Sequence, residues 1–278
     1  MRLHPHLLIA IDIGNTSITA GLFKGSKLVS KRNIPTQPHG SEKKYYAQLR
    51  RLLSAGSYGS GKKPEISDVV ISSVVPSLNK KFISISKRYF KKAPLFIDNK
   101  NCGIRIRYKR PSEVGADRLV NAVAGWELFG RGDKARALPM IIIDSGTAVT
   151  FDCLNSKGEY LGGVIFPGKR IASLALNKYT AKLPLVRITE SKKSYPPVIG
   201  RTTAGSIAAG LHFGYTGMIK EILGTLKKKL KNAIVVVTGG YAKSVISGIP
   251  DVKNVAPDLT LRGLWIIRER NKKGGKHK

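Results

Sequence analysis

Apolar residues climb from Leu7 to Ile11, an acid follows at Asp12, and the run breaks at Gly14-Asn15-Thr16-Ser17. It resumes with Ile18, Ala20 and Leu22 alternating against Thr19 and Gly21. Period-two alternation around a Gly-Asn break predicts two antiparallel strands joined by a tight turn. A buried strand end is a costly place for a carboxylate without a partner. One reading is a plain hairpin whose turn needs Gly and Asn. The other gives the turn's backbone N–H groups an anion to face, with Asp12 holding a cation or a water beside it. Residues 140–154 repeat the design, with Asp144-Ser145-Gly146-Thr147 in the positions of Asp12-Ile13-Gly14-Asn15. That recurrence favours the second reading. It predicts a duplicated domain whose halves clasp one phosphate chain between them.

The remaining pattern fills in each half. Lys27 to Ile34 supplies a third strand, and Ser41 to Ser54 a helix with Tyr45, Leu49, Leu52 and Leu53 on one face and Ser41 as its N-cap. Gly56 to Lys63 resembles a Walker A loop, but Lys63 stands where a Ser or Thr would ligate magnesium and a helix precedes it, so it is a connector. Asp68 to Val75 reads as a buried strand, Pro76 to Phe90 as a helix lined by Leu78, Phe82, Ile85 and Tyr89, and Leu95 to Ile97 as a short strand. A helix follows that carries Leu119, Val120 and Val123 and stops at Gly130, and Gly130 to Leu138 is a linker. In the second half, the hairpin turns through 155–158 into a strand at 159–166 and a helix from Ile171 to Tyr179. Residues 180–201 are irregular. A long helix from Thr202 to Lys231, a buried strand from Ala233 to Thr238 ending at Gly239-Gly240, and a last helix from Pro257 to Arg270 complete it. The expected halves are 1–130 and 131–278, with roughly the last eight residues disordered. The fold class is α/β: two actin-like (ribonuclease H-like) ATPase domains, mixed sheets with flanking helices, and a cleft between the halves.

Asp117 and Arg118, near the start of the helix read in the stretch 108–130, have two readings. An acid there is favoured by the helix macrodipole and can pair with the arginine. Alternatively Asp117 is the acceptor carboxylate that a phosphoryl-transfer enzyme offers to its attacking hydroxyl. Spacing alone favours the structural reading.

Composition changes the picture in one respect. There are 49 basic and 17 acidic residues, a net charge of +32, which favours anionic ligands and incidental, non-specific polyanion binding. The excess is spread along the chain, and Arg268 to Lys278 contributes six basic residues and one acid. With no helix-turn-helix, zinc-finger or aromatic-plus-basic signature, a dedicated nucleic-acid role is disfavoured. The two cysteines and five histidines suggest neither a disulfide framework nor a metal cluster. No apolar run is long enough to span a membrane, and Asp12 breaks the first apolar stretch as no signal peptide would allow. A reducing cytoplasm is expected.

Together the motifs resemble the type III pantothenate kinase family, within the actin, sugar-kinase and Hsp70 superfamily. They are Asp12 to Thr16, Ser72 to Pro76, Gly115 to Arg118 with Tyr108 upstream, Asp144 to Ala148, Gly162 to Gly168, Gly200 to Thr203, Thr238 to Gly240 and Pro257 to Leu264. The resemblance implies ATP-dependent phosphorylation of pantothenate to 4′-phosphopantothenate, the first step of coenzyme A biosynthesis. By the same resemblance Asp117 is the general base, and Tyr108, Gly115, Ala116, Arg118 and Thr203 bind pantothenate, Thr203 reaching it across a homodimer interface. The ATP phosphates fall to Asp12, Ile13, Gly14, Asn15, Thr16, Ser17, Ile18 and Thr19, with Thr147 on the other side. Asp12 serves magnesium through water, and Asp144 ligates a monovalent cation, potassium or ammonium. Three carboxylates close together repel unless cations intervene. The implied partners are pantothenate, ATP and a second copy of the chain. Departures are the basic charge, Thr202 where many relatives carry Asn, and a long 56–63 connector. A rival reading is a non-catalytic relative that acts as a regulatory or nucleic-acid-binding accessory factor.

Overall fold

The computed structural model describes residues 6–54, 65–131, 137–187, 195–249 and 252–274. The chain divides into two units, Met1–Ala124 with Asp258–Lys278, and Gly125–Pro257. Gly56 to Lys63 and residues 275–278 lie outside the described residues.

In the first unit, β1 (Leu7–Ile13), β2 (Ser17–Lys24) and β3 (Lys27–Pro35) form an antiparallel meander. After α1 (Glu42–Ser54), strand β4 (Ile66–Ser73) lies parallel to β1 and β5 (Leu95–Phe96) parallel to β4, giving the order β3-β2-β1-β4-β5. Ile9, Ile11 and Ile13 of β1 and Val69 and Ile71 of β4 pack against Leu49 and Leu52 of α1. The same core takes Leu78, Phe82 and Ile85 of α2 (Pro76–Ile85). Pro76 starts α2 where its missing N–H costs nothing, and the helix continues as one π turn, Ser86–Phe90, closed by Lys91 in the left-handed region. Helix α3 (Ala116–Gly125) likewise runs into a π segment, Trp126–Gly130.

The last helix, α7 (Leu259–Gly274), belongs to this first unit, whereas the expected halves placed residues 257–270 in the second. Trp265 stacks on Phe23 of β2 at 6.3 Å, Thr260 Oγ1 donates to Asn121 Oδ1 at 2.8 Å, and a Cβ on Gly263 would sit 2.3 Å from the Val120 carbonyl. Apolar positions 259, 261, 264 and 267 are therefore buried against a sheet formed at the other end of the sequence. The helix extends through Gly274, so Asn271 and Lys272, placed in the expected disordered tail, are helical.

One buried acid ties this helix down. Asp68 on β4 accepts from Arg268 Nε at 2.9 Å, and its other oxygen pairs with Lys272 Nζ at 2.7 Å. Burial alone would push the Asp68 carboxyl up, but the hydrogen bonds and charges of Lys272 and Arg268 outweigh it and hold the group below the ordinary carboxylate range. This stabilisation is full above the unfolded carboxylate pKa and is lost as pH falls through the lowered folded value. Asp68→Ala is expected to cost about 2–4 kcal/mol at pH 7, less than a fully buried pair because both cations reach water. Chemical denaturation should show the gap from wild type closing as the pH falls below the ordinary carboxylate range.

The second unit repeats the layout. β6 (Met140–Ser145), β7 (Ala148–Leu154) and β8 (Tyr160–Pro167) form the meander. β9 (Ile234–Thr238) runs parallel to β6 and β10 (Asn254–Val255) parallel to β9, in the order β10-β9-β6-β7-β8. Read from β8, this is the order of the first sheet, strand for strand. Helix α4 (Lys169–Lys178) follows β8. The core joins Ile141, Ile143, Phe151 and Val237 to Leu211, Tyr215 and Ile219 of α5 (Thr203–Lys229), and to Val245 of α6 (Ala242–Gly248). Thr202 caps α5, accepting from Gly205 N at 3.0 Å.

Candidate active site

In each unit the acid is the penultimate residue of the first strand. Asp12 pairs across the sheet with Thr19 and Ser72, and Asp144 with Thr150 and Thr238. Alternation puts Ile11 and Ile13 into the first core and leaves Asp12 on the opposite sheet face, the one α7 covers. Ser72, its register partner, is fully buried, and its hydroxyl is the one buried side-chain oxygen or nitrogen without a hydrogen-bond partner among the described residues. An orphaned hydroxyl beside a carboxylate at a strand end suits a hydrated cation. A magnesium ion that keeps its waters and phosphate ligands needs little more than one such carboxylate. The residues therefore fit.

The turn after Asp12 is held from one side. Gly14 N donates to Ser17 O at 3.1 Å, Thr36 Oγ1 donates to Gly14 O at 2.6 Å, and Thr36 N donates to Thr16 O at 3.0 Å. Thr36 follows β3, and no sequence signal singled it out.

The first unit brings Asp117 to the same strand ends. Val74, just past β4, donates its N–H to Ile13 O at 3.0 Å. A Cβ on Gly115 would lie 3.5 Å from Val74 Cγ1 and only 2.7 Å from Asp117 Oδ1. Glycine at 115 thus lets the carboxylate fold back over the chain leading into α3. Arg118 N donates to Asp117 Oδ1 at 2.8 Å, and the Arg118 residue is itself buried. Burial pushes the Asp117 carboxyl above its ordinary range, and the Arg118 N–H and charge pull it back only in part. Ala116 is buried beside it, and Tyr108 is partly exposed on the preceding loop.

In the second unit, Gly168 N donates to Thr147 O at 3.0 Å, and a Cβ there would meet the Thr147 and Gly146 carbonyls at 2.3 and 2.5 Å. Gly239, at φ +92°, closes the other side, where a Cβ would sit 2.4 Å from Asp144 Oδ1 and 2.5 Å from Ser145 O. Carboxylate and carbonyl oxygens in such a cradle are the donors a large monovalent cation takes. Sequence reasoning missed the polar group behind it. Asp152 is fully buried, accepting from Tyr160 Oη at 2.7 Å and Thr150 Oγ1 at 3.0 Å. Thr203 is exposed at the start of α5, an element carrying no other expected site residue.

Among the described residues no helix is long and apolar enough to cross a membrane, and no group of three metal-ligating side chains occurs. The solved activator of 2-hydroxyisocaproyl-CoA dehydratase from Clostridium difficile, with bound ADPNP, has a similar fold: TM-score 0.54, 14% identity, 98% of each chain covered. So does a ROK family glucokinase from Streptomyces griseus in complex with glucose and AMPPNP, with TM-score 0.52, 12% identity and coverage of 95% of this chain and 99% of that one. Twin sheets of one strand order, each with an acid next to the end of its first strand, give the chain the actin-like ATPase fold. Residues 8–225 match the model of the family described as type III pantothenate kinase. A curated relative from Endomicrobium trichonymphae bearing that name is 36% identical over 268 residues, covering 95% of this chain and 99% of its own. The chain belongs to the type III pantothenate kinase family.

Proposed function

We infer that the chain transfers the γ-phosphoryl group of ATP to the primary hydroxyl of pantothenate, giving 4′-phosphopantothenate at the entry to coenzyme A synthesis. The observation that carries this reading is Asp117: an enclosed carboxyl of raised basicity at the strand ends that also carry Asp12. A base needs a pKa lifted towards the working pH to take a proton from an alcohol, and burial supplies that lift. Asp117 accepts the hydroxyl proton. Arg118 keeps the carboxyl from rising further, and Gly115, Ala116 and Tyr108 shape the pocket for the pantoyl end. In the first unit Asp12 and the turn through Thr19 take the phosphates, and in the second Thr147 does. Asp12 would hold, through water, the magnesium bound with ATP, an ion that would neutralise phosphate charge. A kinase assay across small hydroxylated acids and sugars tests the assignment: pantothenate should be turned over at least tenfold faster than any other acceptor, and a preferred sugar would sink it.

Asp144, with the Ser145 carbonyl and the backbone space left by Gly239, supports a monovalent cation site for potassium or ammonium. Replacing both with tetramethylammonium is expected to cut kcat/KM for ATP by about tenfold or more, since electrostatic stabilisation at a transferring phosphoryl group is worth several kcal/mol. Equal rates in either salt would remove this role.

The second unit exposes Leu161, Ile165 and Phe166 of β8, Ile171 and Leu174 of α4 and Phe213 of α5. A second copy of the chain is the partner these exposed apolar side chains support, and in such a dimer Thr203 would reach pantothenate across the interface. Sedimentation should give twice the chain mass, falling to one with Ile165→Glu; a wild-type monomer at micromolar concentration refutes the dimer. Cys102 and Cys153, both buried as free thiols, support a reducing cytoplasm, and fractionation with an extracytoplasmic marker would contradict it.

A further inference from the structure

On β4, alternation sends Val69 and Ile71 into the core that α1 and α2 share, and Asp68 and Ser72 to the opposite face. The bond from Arg268 of α7 to Asp68 marks that face as the one α7 covers. Pairing then fixes the neighbour of Ser72. Along the parallel ladder Ile71 faces Ile11, Ser72 faces Asp12 and Ser73 faces Ile13. The Val74 N–H carries the bonding one step further, to the Ile13 carbonyl at 3.0 Å. Neighbouring strands lie about 4.8 Å apart, so the Ser72 and Asp12 side chains stand next to each other on one face. Yet Ser72 is fully buried and its hydroxyl has no hydrogen-bond partner, that carboxylate included. Ser86 and Ser173, almost as deeply enclosed, each donate to a backbone carbonyl at 2.7 Å. A stranded hydroxyl is costlier than alanine at the same place, so Ser72 calls for a partner from outside the chain. Two neighbouring oxygens beyond direct reach are spanned by one water, with bonds of about 2.8 Å to each.

We propose that Ser72 is an outer-sphere magnesium residue: its oxygen accepts from a water of the ion that accompanies ATP, and the other hydrogen of that water goes to Asp12. The proposal rests on the reading of Asp12 as the magnesium carboxylate, and it makes the site two strands wide. Residues that hold a metal's ligands from behind are worth about 10- to 100-fold in metal affinity. A neutral hydroxyl beside a carboxylate belongs at the lower end of that range.

The test titrates manganese(II), standing in for magnesium and read by electron paramagnetic resonance, into wild type, Ser72→Ala, Ser72→Cys and Asp12→Asn. Each protein is saturated with ADP, without pantothenate, and ADP affinity is measured separately in EDTA. Ser72→Ala and Ser72→Cys, whose thiol is a weak acceptor, should each weaken manganese by about tenfold and leave metal-free ADP within about twofold of wild type. Asp12→Asn should weaken manganese at least as much. Without metal or nucleotide, Ser72→Ala should melt no more than about 3 °C below wild type, because the hydroxyl it loses has no partner in the chain. Wild-type manganese affinity in both serine variants, with Asp12→Asn weakened, overturns the proposal and leaves Asp12 its role. Unchanged affinity in Asp12→Asn overturns both. Metal-free ADP weakened as much as manganese, or a larger fall in the melting point of Ser72→Ala, overturns the proposal by making the hydroxyl a support of the strand end. A wild type that binds manganese through Ser72 but leaves pantothenate untouched would refute the substrate assignment alone.

Discussion

Asp117→Asn is expected to lower kcat by about 10²–10⁴-fold, the range for losing a positioned base, with little change in the KM for pantothenate. The same variant should be more stable than wild type near neutral pH. In the folded chain burial raises the Asp117 pKa above its unfolded value, so folding favours the protonated form. The penalty for ionising it is absent at low pH, appears as pH rises through the folded pKa, and stays above it. Asparagine mimics the protonated carboxyl at every pH. Thermal midpoints of the two proteins should therefore coincide in acid and diverge upward in pH, the variant melting higher. The turnover of wild type should fall on the acid side of the same raised pKa. A variant that turns over normally, or that melts lower at pH 8 while matching wild type in acid, would refute the base assignment.

Gly239→Ala is expected to damage the second unit from within. The position combines a φ that L-residues rarely adopt with a Cβ 2.4 Å from Asp144 Oδ1 and 2.5 Å from the Ser145 carbonyl. Strain and overpacking together should cost about 2–5 kcal/mol, because backbone cannot step aside as a flexible side chain would. That corresponds to a fall in melting temperature of roughly 5–15 °C. Whatever folded protein remains has its Asp144 carboxylate displaced, so the KM for ATP should rise with the loss of stability. Gly240→Ala is the control, since a Cβ there meets nothing within 4 Å and should be tolerated. Equal behaviour of the two variants would mean that the cradle around Asp144 has no influence on the nucleotide.

The hairpins were readable in the sequence because two independent signals coincide in each: an apolar run with period two, and an acid and a glycine where neither belongs in a plain strand. The long helices α2 and α5 were readable for the same reason, with buried Leu78, Phe82 and Ile85, or Leu211, Tyr215 and Ile219, recurring at helical spacing. Seven-residue α6 and two-residue β10 are too short to carry a period and went unseen. Register was invisible as well. That Ser72 lies beside Asp12, and Thr238 beside Asp144, depends on parallel pairing across long crossovers, which local pattern does not encode. Asp117 was identified by motif, but its raised basicity arises from enclosure, which only the folded chain supplies.

The return of α7 to the first sheet orders events during synthesis. Residues 125–257 are continuous, so the second unit can close while the ribosome is still adding the final helix. The first unit, begun with the earliest residues, waits with the Asp12 face of its sheet uncovered until Leu259–Gly274 emerges. The nascent chain thus exposes an apolar surface until that helix has emerged, and its dependence on holdase chaperones should last as long.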